Sequence, residues 1–519
     1  MTAANRRSLA LIAVLMLLAI GARALPGPRT IDDAFITFRY SRNLVEGAGF
    51  VYNPGVRTLG TTTPLFALTM AGMSGLAGGQ DFPHYALWVS ALADAGTVSL
   101  MFVLARRLTG SPLIAVLPAA IWAIAPMSVT FAIGGMETSV TIFWMFAAFA
   151  LYARPGAADD TPRRAFALGA VAGLGLLTRV DSALWIGPLF AYQLAESWLR
   201  ARRLPWRTWA GVLLILLPWL VFSWAYFGAL LPNSVTAKRF AYVLEPFSAL
   251  GQLLPVYSNV FSIFDVLGST GAMISAVIHA ALALCALPYA ARRLPRALPL
   301  LVYPWLYFAV FAALNPLIFR WYFAPPLPAW ILAIFTGAWA LLAPLAQRGV
   351  QGRRVALGLV AALGLFWLFT TANGWVLRPD HGPDRPAPRM AWHQIELLYE
   401  QMGRHLRDVI GVTAETRVAS GDIGAIGFFS RATIVDTVGL VTPELTAYYP
   451  VDPALIVPGQ NYAIPPALIA DTLPDYLVTM EAFVRLGLEA EPWFNAQYDL
   501  ILEYPTDFYG TGMRLYRRR

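Results

Sequence analysis

The chain has 519 residues, 58% of them hydrophobic and only 13% charged, with a mean hydropathy of +0.57 and a net charge of +8. A soluble chain carries roughly twice that charged fraction, which excludes a string of soluble domains. The positive charge sits largely in short loops between apolar blocks, where it sets membrane orientation and calls for no nucleic-acid partner.

The first block, "LALIAVLMLLAIGARAL" (9–25), follows Arg6 and Arg7 and mimics a signal peptide, with small residues at Ala22 to Ala24. It is read as an uncleaved first span. Directly after it comes "TIDDAFITFRYSRN" (30–43), with adjacent carboxylates at Asp32 and Asp33 and arginines at Arg39 and Arg42. A helix over 31–45 puts Ile31, Phe35, Phe38 and Val45 on one apolar face suited to a bilayer surface. Two readings of the carboxylates stand side by side. Acidic residues commonly open a helix, at the positive end of its dipole. Adjacent carboxylates also raise each other's pKa while arginine lowers it, so that one can serve as a base and the other orient a ligand. The segment 64–79 is too short for a full span and reads as a re-entrant or interfacial helix.

Further spans are expected near 84–105, 111–131, 138–153, 164–179, 183–199, 208–227, 270–291, 297–314, 321–346 and 354–373, eleven with the first. With eleven spans the arginine clusters all face one side, which the positive-inside bias makes cytoplasmic. The N-terminus then lies inside. Loops 26–83 and 228–269 and the C-terminal region lie outside. That region, 374–519, opens with "RPDHGPDRPAPR". It continues with a helix pattern (Ile395, Leu398, Met402, Leu406, Ile410) and strand-like runs "TRVASGD", "ATIVDTVGL", "DYLVTM" and "YDLILEYP". The expected fold is a polytopic all-α membrane domain, 1–373, followed by a small exterior α/β domain, 374–519. Gly421, Gly424 and Gly427 are expected to allow close packing at a strand-to-helix turn.

Ionisable or polar residues collect at the expected outer edge: Glu137 in "GGMETS", Arg179 and Asp181 in "TRVDS", Asn233 and Lys238 in "LLPNSVTAKRF", and Arg320 in "NPLIFRWYF". Each has the bland reading of a snorkelling or helix-end residue, and the sharper one of a substrate contact at the membrane edge. Lys238 is the only lysine, a compact charge suited to a phosphate. P-loop, GxSxG and HExxH motifs are absent, so energy for chemistry would arrive with the substrate. The five histidines show no metal spacing apart from His381 and His393, and the lone Cys285 excludes an internal disulfide.

"DDAFITFRYSRNLVEGAGFVYNPGVRTLGTTTPL", followed in order by "GGMETS", "LLTRVD", "LLPNSVTAK", "FRWYFAPPLPA" and "GDIGAIGFFSRATIVDTVGLVTPE", resembles the GT-C glycosyltransferases that use polyprenyl-phosphate sugars. It is most similar to the mycobacterial terminal β-(1→2)-arabinofuranosyltransferase branch. That branch often has Glu-Gly-Tyr-Thr-like residues where this chain has "LGTTTP" (59–64), which leaves sugar and acceptor open. The resemblance implies an inverting transfer of arabinofuranose, or another pentose or hexose, from a polyprenyl-phosphate donor to an envelope glycan, lipid or protein at the outer face of the plasma membrane. It implies Asp32 as the base, with Asp33 as alternative or partner. Lys238 and Arg320 would neutralise the leaving phosphate, with Arg39 and Arg179 in reserve, and Glu137, Asp181 and Asn233 would contact substrate. Some relatives use a divalent cation; one acidic pair is too little to expect it here. Competing readings are a relative modifying protein or lipid A, a flippase for polyprenyl-linked glycans, and a glycan-binding scaffold. A transporter would show two related halves and charges at the midplane, and neither pattern is evident.

Overall fold

A computed structural model of the chain describes residues 3–154, 161–258, 260–378, 382 and 384–519. Each expected span falls on helical chain, 111–131 on two helices and the rest mainly on one. Among the described residues, seven helices are long and apolar enough to cross a membrane, or eight if the bent pair Pro112–Ile124 and Pro126–Ile133 is one span. The bend of 44° has a local cause. Ala125 precedes a proline and is held extended, with ψ 130°, which interrupts the helix.

The count of eleven is not reached on these criteria. Thr138–Tyr152 and Pro162–Thr178 have 15 and 17 residues, or roughly 23 and 26 Å of helix against a hydrocarbon core of about 30 Å. Ala183–Ala201 is longer but carries Glu196 and Arg200 near its end. The 64–79 segment folds as the 14-residue helix Pro64–Ala77, started by a proline at its first position and stopped by Gly78 in the left-handed region.

The chain divides into two compact units, each discontinuous in sequence. The first comprises Met1–Arg29, Pro83–Pro218 and Phe247–Trp392. Here Ala3–Ala24 and Val350–Asn373 both pack on Pro112–Ile124, and Val260–Arg293 packs on Leu327–Ala346. Pro162–Thr178 crosses the helix Trp206–Phe227 so closely that a side chain at Gly169 would strike the Thr208 carbonyl, and one at Gly211 the Phe166 carbonyl. Small residues permit such crossings where lipid offers no hydrophobic drive between helices. Arg23 and Asp94, both fully buried, pair at 3.0 Å, and Ser139 donates to Asp94 at 2.8 Å. A short antiparallel pair, β1 (Trp375–Val376) and β2 (Ala387–Pro388), also lies in this unit.

The second unit comprises Thr30–Phe82, Trp219–Pro246 and His393–Arg519. Its strands are β3 (Arg417–Ser420), β4 (Thr433–Asp436), β5 (Tyr476–Met480), β6 (Tyr498–Pro505) and β7 (Gly512–Arg518), in sheet order β4-β3-β5-β7-β6. β3 runs parallel to both neighbours, while β5, β7 and β6 are antiparallel. The helix Gly424–Ser430 connects β3 to β4 and packs on Gln394–His405 and on the first-loop helix Asp32–Val45. The apolar face of that last helix is therefore not laid on a bilayer. Phe35 rests on Phe428 and Phe429, with ring centroids 5.3 and 5.1 Å away, and Phe38 stacks on Phe82 at 5.7 Å. Val45 alone of the four expected residues is exposed.

Candidate active site

Ile31 is extended (φ −74°, ψ 146°) and the helix begins at Asp32, yet no side chain caps its N-terminus. Asp32 caps a different helix. Its two carboxylate oxygens accept the backbone N–H groups of Ala425 (2.7 Å) and Gly424 (3.1 Å), in the first turn of Gly424–Ser430. The glycines explain how that turn comes so near. A Cβ at Gly424 would collide with the Asp32 carbonyl, and one at Gly427 with the Tyr52 hydroxyl and the Arg39 guanidinium. The expected close packing is present, and its target is the predicted base.

Asp33 faces Lys238 at 3.4 Å, and the pair is partly exposed, at 28% and 22%. A third carboxylate, Asp422, follows β3 and accepts the Tyr399 hydroxyl. Burial pushes Asp32 well above the usual carboxylate range. The nearby Asp422 charge pushes the same way, as does Asp33 to a lesser degree, while the two backbone N–H groups oppose them. Burial also raises Asp422, which Tyr399 and Lys238 partly offset. The result is a small acidic cluster holding a carboxylate in a fixed orientation with increased basicity.

Two predicted site residues have other occupations. Arg39 is 1% exposed. Its guanidinium donates to the carbonyls of Tyr52 (2.8 Å), Gly427 (2.6 Å) and Ala432 (2.7 Å) and to Asn53 Oδ1 (3.1 Å). It knits the first loop to the C-terminal fold and does not fit the reserve phosphate role. The Asn233 amide likewise donates to the carbonyls of Gly439 (2.5 Å) and Leu440 (3.2 Å), which commits it to holding its own loop.

In the first unit the structure brings Glu137, Arg179 and Asp181 together. Arg179 binds Asp181 at 2.8 Å and Glu137 at 3.3 Å, and lies over the Tyr322 ring at 4.8 Å. Two carboxylates thus already neutralise it. Arg320 is exposed and donates to the Met390 carbonyl at 3.0 Å. No group of three or more His, Cys, Asp or Glu among the described residues is placed to hold a metal ion. His381 lies outside the described residues, so its spacing to His393 has no structural counterpart.

Asp422 and Tyr399 were missed by sequence reasoning. The available signal was the placement of "SGD" at the carboxyl end of a parallel strand, where α/β sheets commonly present functional groups.

Residues 61–222 match the family described as dolichyl-phosphate-mannose-protein mannosyltransferase, and residues 388–517 match a domain of unknown function, DUF8728. The terminal β-(1→2)-arabinofuranosyltransferase of Mycobacterium tuberculosis is 28% identical over 229 residues, covering 40% of this chain and 34% of that protein. The match thus spans about a third of that relative's length. ArnT from Cupriavidus metallidurans bound to undecaprenyl phosphate is similar in fold, with TM-score 0.55 and 15% identity over 99% of this chain and 98% of that one. The apo oligosaccharyltransferase of Archaeoglobus fulgidus gives TM-score 0.58 and 12% identity over 99% of this chain and 74% of that one. The matched family, the mycobacterial relative and the structures similar in fold are all glycosyltransferases of the GT-C type, which is what this chain resembles.

Proposed function

We propose that the chain transfers a sugar from a polyprenyl-phosphate lipid to a hydroxyl acceptor at the outer face of the membrane, with inversion at the anomeric carbon. The observation that carries this reading is Asp32, a carboxylate fixed by two backbone N–H groups and raised in basicity by its surroundings. Such a group is a stronger general base than an ordinary carboxylate. The acceptor hydroxyl loses its proton to Asp32 as its oxygen bonds to the anomeric carbon. The bond from that carbon to the phosphate oxygen breaks, and polyprenyl phosphate leaves with the electron pair. Lys238 neutralises the charge that develops on the phosphate. Asp33 holds Lys238 in place until the donor arrives. Within the first unit, Arg179 is already paired with two carboxylates, while Arg320 is exposed.

The donor class is supported by the undecaprenyl phosphate bound to ArnT and by the dolichyl-phosphate-mannose in the matched family's description. The arabinofuranosyltransferase relative supports a pentose, and the mannosyltransferase family a hexose. An envelope glycan is the favoured acceptor, a lipid or protein the alternative. The outer location rests on the arginine pattern of the loops.

The test uses purified protein in lipid, a mixed pool of polyprenyl-phosphate sugars and an envelope extract, read by mass spectrometry. Wild type should consume one donor and yield a matching glycosylated product. Asp32→Asn should be slower by about 10²–10⁴-fold. Undiminished transfer by Asp32→Asn, Asp33→Asn and the double variant would remove the acidic cluster from the mechanism. A donor bound by wild type but never consumed would instead favour the flippase reading.

A further inference from the structure

A second site lies in the first unit and shares no lining residue with the candidate active site. The stretch "RARRLPWR" (200–207) joins two helices and is too basic to be a simple turn. Together with Pro162–Thr178, Ala183–Ala201 and the Pro295–Ala297 turn it borders a cavity of about 760 Å³. Arg164, Arg200, Arg203, Arg207 and Arg296 line it, and Glu196 is the one carboxylate among the described lining residues.

Glu196 organises the inner wall. It accepts Arg296 Nε at 2.9 Å, Arg200 at 3.1 Å and the Tyr152 hydroxyl at 2.8 Å. Among Glu196, Arg200, Arg203, Arg207 and Arg296 the positive charges outnumber the negative by three, and Arg200, Arg203 and Arg207 are exposed. A cavity with that surplus attracts anions, and a guanidinium fork matches phosphate oxygens. The rim identifies the depth. Trp198 and Trp206 are 46% and 61% exposed, beside exposed Leu199 and Leu204. Arg207 lies over the Trp206 ring at 5.0 Å. Exposed tryptophan next to arginine is the composition of a membrane interface at head-group level.

We propose that this cavity binds a phosphate head group, presented by an anionic phospholipid of the surrounding leaflet. The guanidinium groups take the phosphodiester oxygens, and the acyl chains lie along the exposed apolar rim. A soluble phosphate shares the same recognition chemistry, so the experiment separates the two sources. The proposal does not depend on the transfer reaction.

The full chain, stripped of lipid in detergent, is reconstituted with phosphatidylglycerol and phosphatidylcholine in equal amounts, and retained lipid is read by native mass spectrometry. Wild type should retain phosphatidylglycerol preferentially. Arg203→Gln with Arg207→Gln, which leaves the Glu196 pairs intact, should weaken that retention by about 30-fold. Arg353→Gln with Arg354→Gln, in a separate basic cluster, should leave it unchanged. Inorganic phosphate is added at fixed ionic strength as the second arm. Displacement of the lipid identifies a free-phosphate site, and failure to displace it identifies a lipid site. Equal retention of the two lipids by wild type, an unchanged preference in the 203/207 variant, or an equal loss in the 353/354 control overturns the proposal.

Discussion

The Asp32 carboxylate accepts the backbone N–H of Ala425 at 2.7 Å across 393 residues of chain. A residue of the first loop is thereby oriented by the first turn of a helix in the C-terminal fold. The acidic cluster of Asp32, Asp33 and Asp422 exists only when both segments are in place, and Lys238 reaches it from a third. Loss of the C-terminal fold therefore removes the support of the proposed base.

Gly424→Ala tests that dependence. The new methyl group would meet the Asp32 carbonyl, so the helix must retreat and lengthen both N–H bonds to the carboxylate. Overpacking of this kind costs about 1–3 kcal/mol. The expected outcome is a lower unfolding midpoint with a larger proportional loss of transfer than of donor binding. A variant as stable and active as wild type would show that the contact does not matter.

The pH profile should respond to charge with opposite signs. The base must be ionised to act, so activity rises with pH along a limb lying above the ordinary carboxylate range. The cluster titrates as a unit, and the limb reports its macroscopic value. Asp32 feels Asp33, Asp422 and the N–H groups of Gly424 and Ala425, while Asp422 feels Tyr399, Asp33 and Lys238. Asp422→Asn removes a negative neighbour and should move the limb to lower pH. Lys238→Met removes the cation and should move it to higher pH while weakening donor binding. A carboxyl raised in the fold also holds its proton there longer than in the unfolded chain. Stability should accordingly fall as pH rises from the ordinary range through the raised value, and less so in Asp32→Asn. Profiles that shift in the same direction for both variants would refute this account.

Much of the architecture is legible in the sequence because hydrophobic length and period are local properties. Every expected span falls on helical chain, and four strand-like runs become β3 to β6. The tertiary partners were not legible. Phe35 and Phe38 repeat at helical spacing whether they face lipid or Phe428, and nothing local distinguishes the two. Arg39 looked like a spare cation because two of its four acceptors, the carbonyls of Gly427 and Ala432, come from a segment remote in sequence. Asp32 was visible as a candidate, but its partner helix was visible only as three glycines needing room. The count of eleven spans is not confirmed at 138–201, where helices of intermediate length resist classification by composition.

Arg23 and Asp94 form a buried pair in which neither side chain is exposed. Removing one partner strands the other charge, which costs about 3–5 kcal/mol, whereas replacing both by apolar residues of similar volume is often near neutral. Asp94→Asn should therefore be less stable than Arg23→Met with Asp94→Leu, as read from thermal unfolding in detergent. If the double variant is the less stable of the two, the pair contributes more than its charges.

Arg39→Lys separates a structural arginine from a phosphate ligand. Lysine keeps the charge but has three donors on one atom, whereas the guanidinium reaches four acceptors in different directions. The carbonyls of Gly427 and Ala432 lie on opposite arms of that fork, so at least one loses its partner. Each buried acceptor left unpaired costs about 1–3 kcal/mol. The variant should unfold at a lower temperature yet, below that temperature, retain whatever affinity wild type shows for the proposed polyprenyl-phosphate donor. An unchanged midpoint with affinity reduced by tenfold or more, as expected for a lost ion contact worth about 1.4 kcal/mol or more, would return Arg39 to the donor site and leave the C-terminal fold to be held by something else.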